Sequence, residues 1–274
     1  MITTRRAHLE DLGEMLRAER NSTDNLYLEA VHEEFFADEV GEMIVAEDDG
    51  VICGFGKITF QPDGCAWLEA LRVDKNYQNK GAAKAIWKRF LEVAAVRQPK
   101  YIRMYTGTKN KTSSHIAELN GVNRTYEYSE CVAALPSGKG EKGNFKAADA
   151  EFVISKLPEI RKEWGSYVCF NRTFYSLDKD TVEMLCKGGK VFTDGESIVA
   201  VGTRFMPERG NNLIFMTGDM DKCIKFALYF AEQNHDAKLT LMHRAVDKKV
   251  RNLAESMEFK YLPSNFIMVE GDFA

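Results

Sequence analysis

Positive charge is not in excess in this chain: across 274 residues the formal net charge is −4. Affinity for nucleic acid comes largely from neutralising phosphates, so an acidic chain with no large basic patch is not expected to bind it. Long hydrophobic runs are also missing. Stretches such as Ser197 to Val201 and Phe226 to Ala231 fall far short of the roughly 20 apolar residues that a membrane helix needs, so no membrane partner is expected. Cysteine is present but unpatterned. Cys53, Cys65, Cys131, Cys169, Cys186 and Cys223 form no C-x-x-C pair and no metal-ligand spacing, so no metal site is expected. No secretory leader follows Met1, where Thr-Thr-Arg-Arg comes at once, and the six thiols are therefore expected to be reduced in a cytoplasmic protein. What remains is an ordinary globular composition, 45% hydrophobic and 28% charged, in a length that favours two medium domains.

The most informative stretch present is Trp67 to Phe90. It begins as an apolar strand whose alternation predicts Trp67, Glu69, Leu71 and Val73 on one face and Ala66, Leu68, Ala70 and Arg72 on the other. It ends as a helix, because Ala83, Ile86, Trp87, Phe90, Leu91 and Ala94 recur at helical spacing before Pro99. Between them Gln78-Asn79-Lys80-Gly81-Ala82-Ala83 narrows from polar to small residues where the helix must start. A helix that begins through Gly and Ala presents unpaired, uncrowded N–H groups together with the positive end of its dipole. Such a place suits a phosphate.

Strand, then V-D-x-x-Y-Q-x-x-G-x-A, then an apolar helix resembles the acetyl-CoA signature of the GCN5-related N-acetyltransferases. The signature positions, Gln or Arg, then Gly, then Gly or Ala, are Gln78, Gly81 and Ala83. The resemblance implies that the backbone of Gln78, Asn79, Lys80, Gly81, Ala82, Ala83 and Lys84 holds the CoA pyrophosphate. It implies too that the strand backbone at Leu71, Arg72 and Val73 binds the pantetheine arm and acetyl group, with Asn110 a further pantetheine or acceptor contact.

The chain order agrees with this resemblance over residues 1 to 135. A strand at 2–6 is followed by a helix through Leu12, Met15 and Leu16 and by a second helix over Asn25 to Phe36. In the resembled family these helices shape the acceptor pocket, which makes Asn21 to Asn25 a pocket loop and His32 a residue that could face it. Strands at Met43 to Glu47 and Val51 to Phe60 form a hairpin about Asp48-Asp49-Gly50. A strand at Tyr101 to Thr106, a helix at Ser113 to Asn120 closed by Gly121-Val122, and a strand at Tyr126 to Ala134 complete the unit. Residues 136–148, rich in Gly, Pro and charge, read as a linker.

The second half repeats the first. Gly195 to Asp219 lays an apolar strand, an F-x-P turn at Phe205-Met206-Pro207 and a second apolar strand over the pattern of residues 50 to 74. A helix from Cys223 to Glu232, a strand from Leu239 to Met242 and a helix carrying Leu253-Ala254-Glu255 follow, but the Q-x-x-G-x-A loop is absent and the connection is shorter. The expected fold class is thus mixed α+β, with two domains resembling the acetyltransferase fold, each a mostly antiparallel sheet flanked by helices. Residues 1–135 would be catalytic and bind acetyl-CoA, and residues 149–274 would be a degenerate copy.

Acetyl transfer needs a neutral amine, a polarised carbonyl and a proton for the departing thiolate. A lysine-like amine with a pKa near 10.4 pays roughly 4–5 kcal/mol to be neutral at pH 7, whereas an α-amine pays only about 1 kcal/mol. Glu69, a carboxylate inside the apolar strand, is the candidate base, with a salt bridge to Lys57 as its structural alternative. A strand amide near Leu71 or Arg72 would polarise the carbonyl. Family members commonly place a Tyr acid four residues before the closing glycine, where this chain has Ala117. His115 is the candidate substitute, because imidazole shuttles protons near neutral pH, with Ser114 and Tyr105 as alternatives. The E-A-L-R-V strand and divergent second half are similar to the group containing histidine N-acetyltransferase, which implies a free amino acid or other small amine as acceptor. Aminoglycoside, polyamine or peptide acceptors, and a non-catalytic acyl-CoA-binding module, are the alternatives.

Overall fold

The computed structural model describes residues 1–273, and its backbone resolves into two compact units. The first comprises residues 1–104, 115–124 and the residues from Glu270. Its elements run β1 (Ile2–Arg6), α1 (Leu12–Ser22), α2 (Leu28–Ala37), β2 (Glu42–Asp48), β3 (Val51–Phe60), β4 (Cys65–Val73), α3 (Ala82–Arg97) and β5 (Tyr101–Gly107), the last as far as Met104. The helix α4 (Lys111–Leu119) joins it from His115. Strands β1 to β4 pair in chain order, each antiparallel to the next, and β5 lies parallel to β4.

Helix α3 covers one face of this sheet because its apolar residues repeat at helical spacing. Ala82, Ile86, Trp87, Phe90 and Ala94 are all buried, and full burial of each large side chain contributes about 2–3 kcal/mol. The helix ends where Gln98 turns left-handed and its N–H bonds to Ala94 O, just before Pro99. Glycine is required opposite it: a Cβ on Gly56 would sit 2.5 Å from the Phe90 ring, so only a bare strand lets the helix approach this closely. On the other face lie Phe55 and Lys57, both buried, with α1 and α2 packed over that side.

Arg103 anchors β5 from inside. It is fully buried and ion-pairs with Asp63 at 2.9 Å and Glu270 at 2.6 Å, and Glu270 also receives Arg124 at 2.9 Å. The two carboxylates outweigh the cost of burial and hold the Arg103 guanidinium firmly charged.

In the first half of the chain two helix starts differ from the sequence expectation. The second helix begins at Leu28, not Asn25, because buried Glu19 accepts the backbone N–H groups of Tyr27 and Leu28 and holds the preceding turn open. Helix α4 begins at Lys111, not Ser113, because the Asn110 side chain accepts from Ser113 N–H and caps that end.

The second unit comprises residues 105–114 and 125–269. After β6 (Arg124–Ala134) come β7 (Lys146–Ala147), α5 (Ala150–Ser155), α6 (Leu157–Trp164), β8 (Tyr167–Phe170), β9 (Thr173–Ser176), α7 (Lys179–Lys187) and β10 (Val191–Thr193). They are followed by β11 (Ile198–Gly202), β12 (Asn212–Thr217), α8 (Met220–Gln233), β13 (Lys238–Arg244), α9 (Lys248–Ser256), β14 (Lys260–Tyr261) and β15 (Phe266–Asp272). Its sheet runs β6-β13-β12-β11-β10-β7, antiparallel except for the parallel β12–β13 pair. One apolar core joins α8 residues such as Phe226 and Ala227 to Val199, Phe215 and Leu241 of the sheet. The segment 136–148 is tied to α8: Ser137 donates from N and Oγ to Glu232, and Glu141 N–H to Lys225 O. All six cysteines are free, and burial pushes Cys131 and Cys223 up to about 12, which leaves both thiols protonated. No helix among the described residues is long and apolar enough to cross a membrane.

Candidate functional site

Strand β4 departs from regular alternation at Ala70, whose φ is +57°. Phe55 pairs with Arg72 and Lys57 with Glu69, so three residue steps on β4 oppose two on β3, a bulge on β4. Alternation from sequence places Glu69 with Leu71 and Val73. The bulge overturns this: Glu69 and Arg72 share the face of Phe55 and Lys57, towards α1 and α2. The bulge also marks where β4 leaves β5. Their parallel register runs from Cys65/Tyr101 to Leu68/Met104, and none is found for residues 69–73 among the described residues of this unit. The β4 edge at Leu71, Arg72 and Val73 is therefore available to an extended ligand.

The strand then enters a turn held by Asp74. This fully buried carboxylate accepts from Asn76 N–H at 2.9 Å, Asn21 Nδ2 at 3.0 Å and Arg17 Nη1 at 2.8 Å, while Arg17 Nη2 bonds Ile52 O. Burial alone would raise its pKa, but the bonds from Asn21, Asn76 and Arg17 outweigh that and hold it below the ordinary carboxylate value. Sequence reading singled out neither Arg17 nor Asp74. The signal present was the Val-Asp lead-in to the loop, which gives no hint of a partner more than fifty residues earlier.

Beyond Asp74 the loop is built for a close backbone approach. Asn79 (φ +61°) and Gly81 (φ +95°) are left-handed, and no heavy atom lies within 4 Å of where a Gly81 Cβ would stand. Helix α3 has no side-chain cap and no acidic residue in its first turn, and its first internal bond runs from Ala85 N–H to Gly81 O. The N–H groups of Ala82, Ala83 and Lys84 thus lack helical partners. Gln78, Lys80 and Lys84 are exposed around them, with Lys80 Nζ 4.8 Å from the Tyr77 ring. An uncapped helix start beside lysines attracts an anion, and the loop fits a pyrophosphate on these grounds.

Glu69 is buried at 9% exposure and accepts from Thr59 Oγ1 at 3.0 Å. Its register neighbour Lys57 forms an ion pair with Asp38 and also bonds Ile58 O. The other expected residues are more scattered. His115 is 68% exposed on α4, with Glu118 at 4.0 Å. Ala117, where the family commonly has its Tyr, is fully buried in the core. Asn110, counted with the second unit, spends its side chain on Ser113, and its carbonyl accepts from Ser114 Oγ. His32 bonds back to Glu29 O of its own helix.

Residues 9–121 match the model of the acetyltransferase (GNAT) family. A GCN5-related N-acetyltransferase from Sphaerobacter thermophilus superposes over 99% of this chain and 95% of its own, with a TM-score of 0.67 at 11% identity. The fold is that of the GNAT acetyltransferases. A tandem GNAT protein from the clavulanic acid biosynthesis pathway matches over 99% of this chain and 98% of its own, at TM-score 0.61 and 10% identity. A Pyrococcus horikoshii protein assigned to the acetyltransferases covers 100% and 90%, at TM-score 0.63 and 15% identity. No curated protein sequence matches the chain. The family model over residues 9–121 supports an acyltransferase enzyme.

Within the second unit, the region corresponding to the GNAT loop has a different chemistry. Strand β12 runs into α8 through Gly218 and Asp219 alone, where the first unit uses residues 74–81. The Asp219 carboxylate accepts from Lys222 N–H and caps α8, and that backbone bond leads the causes holding it below its ordinary pKa. Glu163 adds a second carboxylate there, accepting from Gly218 N–H at 2.9 Å and Thr217 Oγ1 at 2.6 Å. Where α3 is open to an anion, α8 is capped by Asp219, and Glu163 holds the turn just before it.

Proposed function

We propose that this protein moves the acetyl group of acetyl-CoA to the primary amine of a small molecule, a free amino acid in the reading we favour, by direct attack in a ternary complex. The observation that carries this is the uncapped start of α3 at left-handed Gly81, directly after the open edge of β4. In this reading residues 1–135 form the catalytic domain, 136–148 the linker and 149–274 a degenerate copy without a CoA site.

Acetyl-CoA supplies an activated thioester. The backbone of Gln78, Asn79, Lys80, Gly81, Ala82, Ala83 and Lys84 holds its pyrophosphate, and Leu71, Arg72 and Val73 align its arm along β4. A β4 amide at Leu71 or Arg72 stabilises the charge that develops on the carbonyl oxygen. Glu69 takes the amine proton, supported by its burial and by the Thr59 hydroxyl that orients it. His115, open to solvent, returns a proton to the thiolate. The burial of Ala117 in place of the usual Tyr favours one further reading, a non-catalytic acyl-CoA-binding module.

Thermal unfolding with acetyl-CoA, then thiol release over amino acids, polyamines, aminoglycosides and peptides, separates these readings. A stabilising shift with turnover of one amine class supports the enzyme; a shift with no turnover supports the binding module. The paired variant is Gly81→Trp. Its site is exposed, so the fold loses only about 1–2 kcal/mol to left-handed strain, while the indole blocks the N–H cradle and the acetyl-CoA shift disappears. Wild-type affinity for acetyl-CoA in Gly81→Trp would remove the argument.

A further inference from the structure

We propose that the Arg72 side chain is the carboxylate anchor of the acceptor, so that this enzyme selects amines carrying a carboxylate beside the amine. The proposal rests on the amine-acetylation reading above and deepens it to a substrate class.

Arg72 owes its position to the bulge at Ala70, which turns it onto the face of Glu69. Its guanidinium carbon lies 5.7 Å from the centre of the Tyr27 ring, on the connection between α1 and α2, and Tyr27 in turn packs edge-on against Phe35. This is a guanidinium held against an aromatic platform, an arrangement that leaves its in-plane N–H groups to face an acceptor.

Those N–H groups are nearly unused. Among the described residues the Arg72 side chain makes one hydrogen bond, from Nη1 to Leu71 O at 3.2 Å, and its Nε is buried with no partner at all. A buried donor left unsatisfied is costly, and a bound acceptor group would relieve it. The carboxylates on this side have other work: Glu19 accepts from Tyr27 and Leu28 N–H, Asp38 pairs with Lys57, Asp74 binds Arg17 and Asn21, and Glu69 accepts from Thr59 Oγ1. The group that best matches a planar guanidinium is a carboxylate bonded through both oxygens, and the acceptor is what can supply it.

The spacing agrees with an α-amino acid. Glu69 and Arg72 oppose Lys57 and Phe55, two residues apart on β3, so their positions are separated by roughly 7 Å along the strand. An amine and a carboxylate on one carbon bridge such a gap when one faces Glu69 and the other Arg72. A polyamine or aminoglycoside would instead bring an ammonium group against the guanidinium, and the site disfavours it.

The test compares kcat/KM for a panel of amino acids with that for each matched carboxamide and decarboxylated amine, reading KM for acetyl-CoA in the same assay. The preferred amino acid is expected to exceed both counterparts by 100-fold or more in the wild type. That ratio should fall towards one in Arg72→Gln, with Arg72→Lys between, whatever the variants do to absolute turnover. A wild-type ratio near one overturns the proposal even if both variants fail to fold, and so does an Arg72→Gln enzyme that keeps the wild-type ratio. Acetyl-CoA binding with turnover of decarboxylated amines alone overturns the role of Arg72 and leaves the acetyltransferase reading standing. Absence of any acetyl-CoA binding overturns both.

Discussion

Asp74 shows how one side chain ties the candidate site to the fold. It is buried yet held ionised, and it joins α1 to the turn that carries the proposed CoA loop. A folded-state pKa below 3.8 means that the contribution of Asp74 is fully present above pH 3.8 and is lost as pH falls through the folded value, so assays near neutrality retain it. Asp74→Ala is expected to destabilise the protein by roughly 1–3 kcal/mol in urea unfolding and to weaken acetyl-CoA binding by calorimetry, because the loop loses its tether. His243 has the same sign for a different reason. Burial lowers its pKa, and the neutral ring fits its partners: Nδ1–H donates to Arg244 O and Nε2 accepts from Tyr261 OH, each at 2.8 Å. Protonation would convert that acceptor into a donor. Stability from neutral His243 is present above pH 6.5 and is lost as pH falls below it. The melting temperature should drop as pH falls below 6.5, and His243→Asn should flatten that drop.

At the scale of elements, the sequence showed strands, helices and loop clearly and the bulge not at all. The α3 spacing is a local pattern, and Ile86, Trp87, Phe90 and Ala94 are buried where it put them, with Ala83 and Leu91 half-buried; on β4 the alternation holds only as far as Glu69. Ala70 carries no mark of a left-handed conformation, since alanine adopts one only when paired strands impose it, so the face shared by Glu69 and Arg72 was visible only in the register. The Asn110 cap was equally hidden, because the same amide that suits a pantetheine contact also suits a helix start. The contrast between the two helix starts was legible as a missing loop, and the structure adds its electrostatic side. Asp219 caps the start of α8 and Glu163 holds the turn before it, whereas α3 begins with no acid. Titration of the whole protein with acetyl-CoA should therefore give one site per chain, and Asp219→Ala should cost about 1 kcal/mol of stability without creating a second. Two equal sites in the wild type would contradict the degenerate reading of residues 149–274.

At the scale of the molecule, chain order and spatial unit differ. Sequence pattern divides the chain at a Gly- and Pro-rich segment, because local composition is all that it displays, and it carried no reading of residues 149–194, where short elements alternate without a strong period. The first unit nevertheless contains the residues from Glu270, far from its other segments in sequence. Glu270 is buried and accepts from Arg103, itself at 0% exposure, through Nε and Nη2, with Asp63 as the other carboxylate on that guanidinium. Removing one member of a buried charge network leaves the rest uncompensated, a loss of about 3–5 kcal/mol. That is a large part of the stability of an ordinary domain, roughly 5–15 kcal/mol. A fragment of residues 1–135 is therefore expected to unfold at markedly lower urea than the full chain, and Glu270→Ala in the full chain should reproduce much of that loss. Glu270→Gln, which keeps a carbonyl acceptor for Arg103 but no charge, should fall between them. A fragment as stable as the intact protein would show that Asp63 alone compensates Arg103, and that residues 1–135 fold on their own.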